Sequence, residues 1–299
     1  MLTTLYRKII PEKVRDIIYK AFLKRFLEFY RPYKLWLRTI ICGKESREEQ
    51  EALKILWKHG NSAYPYSWRQ EYDKATYLVQ IDESNGLPYV THHNKRLYFK
   101  RLAPENGIAQ TETAYQHLLI EQDPRSAHRY VAAYEDLRGK TLLDIGTAEG
   151  IFTLDCIEYV KHAYLFECDE KWIESLKATF APWKDKVTIV RKYVSDTDDE
   201  RQITLDTFMK GKSTEDLFLK MDIEGYEQKT LKGARHLLEN ATNLSGAIAT
   251  YHTHDARQEI KATLEEKHFV TETTPGFLYF DQEMRRGIIR FSKPTASKA

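Results

Sequence analysis

Hydrophobic and polar positions along this chain follow two regimes that meet near residue 110. Ahead of that point, Val14, Ile18, Phe22, Phe26 and Phe29 recur at three- and four-residue steps, which predicts an amphipathic helix over 11–31 stopped by Pro32. A charged helix is expected over 44–58. Residues 75–100 read as short strands: Tyr77–Ile81 alternates, Asn85-Gly86 is a hairpin-turn pair, and Arg96–Phe99 follows. Helices are expected over 111–120 and 126–137, and from there strand and helix patterns alternate. Strand 141–145 precedes helix 151–160, and strand 163–168 precedes helix 171–180. Strand 187–194 precedes a short piece at 202–208, strand 217–223 precedes helix 226–240, and strand 246–251 precedes helix 256–267. The closing segments 269–273, 276–280 and 287–292 lie near enough in sequence to pair as a hairpin. Five β-α steps demand a mainly parallel α/β sheet with right-handed crossovers, and the hairpin adds an antiparallel edge.

This pattern sets three expected regions: a basic helical arm at 1–44, a small α+β cap at 45–110, and a cofactor-binding α/β domain at 111–299. Composition fits a globular protein, with 42% hydrophobic and 30% charged residues. Cys42, Cys156 and Cys168 form no metal-spaced cluster and are too few for a disulfide scaffold, so a reducing, cytoplasmic setting is expected. No apolar run reaches the roughly 18 uncharged residues of a membrane span. The net charge of +2 hides an asymmetry: residues 1–44 hold eleven Lys/Arg against three Asp/Glu, a net +8, leaving −6 elsewhere. A basic amphipathic arm with Tyr30, Tyr33 and Trp36 suits the anionic inner face of a membrane, and equally suits packing on the protein's own domain.

In an open α/β sheet the ligand sits beyond the strand C-termini. The first such end carries Asp144-Ile-Gly146-Thr147-Ala-Glu-Gly150, an acid followed by a glycine turn into a helix. Its spacing is Asp-x-Gly-x-x-x-Gly and not the Gly-x-Gly-x-x-Gly of a dinucleotide site. The second ends in Glu167, 21 residues after Gly146, near the offset at which an acid binds ribose hydroxyls. Asp169 suits a cap for the next helix. The third ends in Asp196, placed to read a heteroaromatic amine or to sit in a solvated loop. The fourth gives Lys220-Met-Asp222-Ile-Glu224, whose period-two face turns Asp222 toward the crevice. The fifth ends in His252, projecting toward Asp222, while His254 reads as a loop residue.

Together, LLDIGTAEG, LFECDE, VSD and LKMDIEGYEQKTLKGA resemble the FkbM-type family of class I S-adenosylmethionine-dependent methyltransferases, over about residues 110–293. The densest match is Leu219–Ala234. The resemblance implies a Rossmann-like, mostly parallel seven-stranded sheet whose last strand is antiparallel. It implies that Asp144, Gly146 and Gly150, with Thr147 in the same loop, hold the methionine part of the cofactor. Glu167 then binds the ribose, Asp196 flanks the adenine, and Asp222 sits near the transferring methyl. Residues 119–130 and the upstream cap resemble segments of family members associated with surface glycans.

The expected activity is O-methylation of a sugar hydroxyl in a glycan or lipid-linked saccharide. Alternatives are a soluble small-molecule acceptor and a noncatalytic binding module that keeps the fold. His252, helped by Asp222, is the expected base; Asp222, Glu224 and His252 could instead hold a divalent cation that activates the hydroxyl. The Asn/Asp-Pro-Pro-Tyr run of amine methyltransferases is missing after the fourth strand, so an oxygen acceptor is expected and nucleic acid is not.

Overall fold

A computed structural model of the protein describes residues 46–59, 62–102, 105–281 and 283–293, with Tyr30 and Leu37. The expected arm at 1–44, its helix over 11–31 and the tail at 295–299 otherwise lie outside the described residues. Packing divides the chain into one unit of residues 1–69 with 277–284 and another of 70–276 with 285–299. In the first, helix α1 (Arg47–His59) buries Ala52, Leu53 and Leu56. The Tyr66 hydroxyl donates to the Phe277 carbonyl at 2.7 Å and accepts the Phe277 N–H at 2.9 Å.

The second unit holds a small antiparallel sheet, β1 (Gln80–Ile81), β2 (Pro88–His92) and β3 (Lys95–Tyr98). Asn85 and Gly86 form the expected first turn, with Gly86 at φ 73°. The second hairpin turn, at His93-Asn94, has both residues left-handed (φ 47° and 64°) and carries no glycine to announce it. β3 is tied into the larger body where the Tyr98 N–H donates to Thr179 Oγ1 at 3.0 Å, and β2 where His92 pairs with Asp155.

The large sheet contains β4 (Thr141–Ile145), β5 (His162–Phe166), β6 (Val187–Val190), β9 (Leu217–Met221), β10 (Ser245–Ala249), β11 (Val270–Thr273) and β14 (Ile288–Ser292). Its order is β11-β14-β10-β9-β4-β5-β6, and β14 alone runs antiparallel to its neighbours. This is the seven-stranded class I methyltransferase arrangement. Strands β4 and β9 are buried on both faces because helices cover both. Leu142 joins a core with Phe152, Leu154 and Leu176, while Leu143 joins another with Leu219, Leu237 and Ile260. Truncating such a residue costs about 2–5 kcal/mol.

Four expected elements differ. Residues 126–137 form no α-helix; only a short 3-10 turn, Tyr134–Leu137, appears. Their carbonyls are spent elsewhere: Ala127 O accepts Thr274 Oγ1 at 2.6 Å, and the Arg290 guanidinium takes the carbonyls of Arg129 and Tyr130. Strand 187–194 breaks after Val190, and β7 (Tyr193–Val194) instead pairs with β8 (Gln202–Ile203) in a parallel ribbon outside the sheet. Helix 226–240 breaks at Gly233, where a Cβ would stand 2.1 Å from the Ser195 carbonyl. Of the closing segments, β11 pairs with β14, whereas β12 (Leu278–Phe280) forms a separate ribbon with β13 (Glu283–Arg285).

Candidate active site

The strand order reverses between β4 and β9, and the described residues enclose a cavity of about 960 Å³ beside that switch point. Ile145, Phe166, Val194 and Ile223 give it apolar walls; Glu167 and Asp222 are among its acids. The β7–β8 ribbon supplies one side. Its loop is held by Asp199 Oδ1, which accepts the N–H groups of Arg201 and Gln202 at 2.7 Å each.

The glycine motif shapes this cavity more than it lines it. Gly146 does line it, at φ 76°, and a Cβ there would lie 1.9 Å from the Asp222 carbonyl oxygen. No other residue fits so close an approach. Asp144 does not face the cavity. It is 1% exposed, pairs with Lys220 Nζ at 3.0 Å, and accepts the Thr153 hydroxyl at 2.6 Å. Lys220 also donates to the Gly146 carbonyl, so the motif's acid acts on the loop through the lysine. Burial opposes charge on Lys220, yet Asp144 and then Asp222 outweigh it and raise its pKa. Thr147 is buried, its hydroxyl donating to the Asp144 carbonyl at 2.9 Å. Gly150 starts helix α3, Ile151–Cys156, at φ 85°, packed under Phe180. (Helix α2 is Gly107–Glu121.) Of the four expected loop residues, Gly146 alone reaches the cavity wall; Ala148, unpredicted, joins it.

Glu167 lies at the cavity wall as expected, just past β5. Its Oε2 accepts the Ala148 N–H at 2.8 Å and its Oε1 the Asp169 N–H at 2.7 Å. Each oxygen keeps acceptor capacity for a ligand hydroxyl. Asp169 caps the following helix, accepting from the Lys171 N–H at 3.0 Å. Asp196 is exposed and lies outside the lining; its neighbours Tyr193, Val194 and Ser195 line the cavity instead. The break in the third strand moved the wall one residue back.

Asp222 is the meeting point of the site. The Tyr130 hydroxyl donates to its Oδ2 at 2.6 Å, His128 Nε2 lies 3.1 Å from the same oxygen, and the Tyr251 hydroxyl is 3.4 Å from both oxygens. Burial alone would raise its pKa. The His128 hydrogen bond and charge, then Lys220 and His252, hold it well below the usual carboxylate range. Tyr130 and His128 come from the segment expected to be helical, so their place here was not legible from periodicity.

His252 does come to Asp222, but from behind. Its Nε2 is 3.3 Å from Asp222 Oδ1 and its Nδ1 is 2.8 Å from Glu227 Oε1. Burial favours the neutral ring, but the Glu227 bond and then the charges of Asp222, Glu227 and Glu224 raise its pKa. A carboxylate near each ring nitrogen favours the charged form of the ring. Its side chain is 3% exposed, so it does not line the cavity. Glu224, expected as a cation ligand, has a side chain 87% exposed, 3.7 Å from His252. The buried acid is Glu227, which also accepts the N–H groups of Ile223 and Gly225. Glu149 completes the polar set: burial, then the charge of Glu121, pushes its pKa up to about 8.

An acid-and-glycine turn, a carboxylate at the next strand tip and a third carboxylate at the switch point define a class I methyltransferase fold and site. The chain belongs to the methyltransferase FkbM domain family, whose model matches residues 92–286. Among solved structures it is similar to the methyltransferase FkbM from Methylobacillus flagellatus, at 19% identity and TM-score 0.40, over 64% of this chain and 56% of that one. It is also similar to the N-methyltransferase NodS from Bradyrhizobium japonicum in complex with S-adenosyl-L-homocysteine, at 12% identity and TM-score 0.38, over 58% and 91%. An rRNA methylase from Streptococcus thermophilus matches at 14% identity and TM-score 0.38, over 54% and 94%. No curated protein sequence matches the chain.

Proposed function

We propose that the protein transfers a methyl group from S-adenosylmethionine to a hydroxyl, and that this hydroxyl belongs to a sugar of a glycan or lipid-linked saccharide. The observation that carries the reading is Asp222: a carboxylate kept anionic by buried neighbours, with its free side on the cavity beside the glycine loop. The cavity's residues fit the cofactor. Its volume matches the about 300–1,000 Å³ of small-molecule sites, Glu167 has acceptor sites left for ribose hydroxyls, and Tyr193, Val194 and Ile223 offer an apolar slot for adenine. When bound, the cofactor supplies an electrophilic sulfonium methyl.

The chain's own residues then have limited work. Asp222 accepts the hydrogen bond of the acceptor hydroxyl and so aims its oxygen. As the C–O bond forms and the C–S bond breaks, the hydroxyl proton becomes far more acidic than a carboxylic acid, so even a strongly anionic Asp222 can take it. His252 is a positioning residue that balances the charge of Asp222. This moves the expected base from His252 to Asp222. Asp222, Glu227 and His252 each offer a donor atom within 4.8 Å of the others, and a cation there would compete with protons for the His252 ring. An oxygen acceptor is supported by Met221-Asp-Ile-Glu-Gly225 standing where amine methyltransferases carry Asn/Asp-Pro-Pro-Tyr. The sugar assignment rests on the likeness of 119–130 to glycan-associated relatives, and delivery to an anionic membrane face rests on the charge of residues 1–44. No helix among the described residues is long and apolar enough to cross a membrane.

The test is labelled-methyl transfer to glycan and lipid-linked saccharide fractions, with liposome flotation for the arm. Label appearing in a saccharide ether supports the reading. Label found only in small soluble products or in amines would overturn the sugar assignment.

A further inference from the structure

Outside the cavity, the hairpin turn between β2 and β3 meets helix α3 at three groups with metal-ligating chemistry. His92 Nε2 lies 2.7 Å from Asp155 Oδ1, and His93 Nδ1 lies 3.3 Å from that same oxygen. The two imidazoles stack at 4.2 Å with 20° between planes, so both present a nitrogen to one spot. All the donor atoms fall within 4.8 Å of one another.

We infer that His92, His93 and Asp155 form a reversible binding site for a divalent transition-metal ion of the zinc class. Two imidazoles and one carboxylate suit such ions better than magnesium or calcium, which prefer all-oxygen shells. Zinc bonds of about 2.0–2.2 Å to nitrogen and oxygen set donors about 3.3 Å apart, the present His93–Asp155 separation, while His92 and Asp155 at 2.7 Å would have to part to admit the ion. The outer partners are in place as well. His92 Nδ1 is 2.9 Å from the Tyr115 hydroxyl, and Asp155 Oδ2 accepts the Tyr134 hydroxyl at 2.6 Å. Such contacts fix ring tautomer and carboxylate orientation around a metal. The nearest lysine is drawn aside: Lys95 Nζ donates to the Leu154 carbonyl at 2.8 Å.

A plain ion pair between buried His92 and Asp155 would explain those two residues. It does not explain His93, which turns its Nδ1 onto the same oxygen from the hairpin turn. The His93 side chain is 72% exposed, so water can complete the coordination and the ion can exchange. A bound ion would staple the β2–β3 hairpin to the helix that begins at the glycine loop. This inference stands apart from the methyltransferase reading.

Zinc calorimetry and thermal melting of the chelator-treated full chain test it, with His93→Asn and Glu227→Gln as variants. Asparagine tolerates the left-handed turn but has no imidazole, and Glu227→Gln disables the other acid-histidine cluster. The expected result is one zinc per chain and a zinc-dependent rise in Tm. His93→Asn should weaken binding at least tenfold and abolish the rise, while Glu227→Gln keeps both. No zinc binding by the unaltered chain, equal binding by His93→Asn, or loss of binding in Glu227→Gln overturns the site.

Discussion

Lys220 Nζ stands 3.0 Å from Asp144 Oδ1, and both side chains are almost wholly buried at the tips of neighbouring strands. The first acid of the glycine motif is therefore spent on a lysine that in turn holds the Gly146 carbonyl. Removing one member of such a pair leaves the other charged and unmatched. Lys220→Met is expected to cost about 3–5 kcal/mol in chemical denaturation, and to weaken cofactor binding by loosening the loop. Unchanged stability would contradict the coupling.

In the proposed mechanism Asp222 touches the acceptor, so its loss should act on turnover and not on the cofactor. Asp222→Asn is expected to lower the methyl-transfer rate by about 10²–10⁴-fold while S-adenosylhomocysteine affinity stays within a few-fold. Tyr130→Phe, which deletes the 2.6 Å hydrogen bond to Asp222, should show a smaller fall in the same direction. Rate assays paired with calorimetry separate the two effects.

Glu149 carries a pH signature. Its pKa rises from 4.5 in the unfolded chain to about 8 when folded, so the folded state binds the proton more tightly. Stability from this group is full below pH 4.5 and falls as pH climbs toward 8, where the unfolded chain ionises and the folded one resists. Glu149→Gln should thus stabilise the protein by up to about 3 kcal/mol at pH 7 and flatten the pH dependence across that window. Urea melts at several pH values check this; an unchanged slope would count against it.

His252 acts in the same sense. Its folded pKa lies above the ordinary histidine value of 6.5, so the stability it lends is complete below that pH and is lost as pH rises through the folded value. Glu227→Gln weakens the strongest bond to the ring, and the loss should begin at lower pH. An NMR titration of the ring would show the shift directly.

The fold was largely legible because buried parallel strands write mostly apolar runs, and β4 and β9 are such runs broken near their ends by Asp144 and Lys220. The misplaced elements are those where tertiary partners override local pattern. Residues 126–137 have helical periodicity, yet Thr274 and Arg290 take their carbonyls. Those partners lie over 140 residues away in sequence, so no local window contains them. The same segment carries Tyr130 and His128, which is why half of the Asp222 cluster was invisible. Glu167, Gly146 and Asp222 were readable, since strand-end position alone points them at the crevice. Asp196 was misplaced by the strand break at Arg191-Lys192, and Glu224 by a left-handed turn (φ 56°) that leaves it exposed and Glu227 buried.

The central claim is that these strand tips form one site for S-adenosylmethionine, and Glu167 is the residue that ties the cavity to its ribose. Calorimetry of S-adenosylhomocysteine with the unaltered chain and with Glu167→Ala tests this most directly, with NAD as the competitor. The account predicts one-site binding, at least tenfold weaker in Glu167→Ala, and no comparable affinity for NAD. Equal binding by both chains, or tighter binding of NAD, would contradict it.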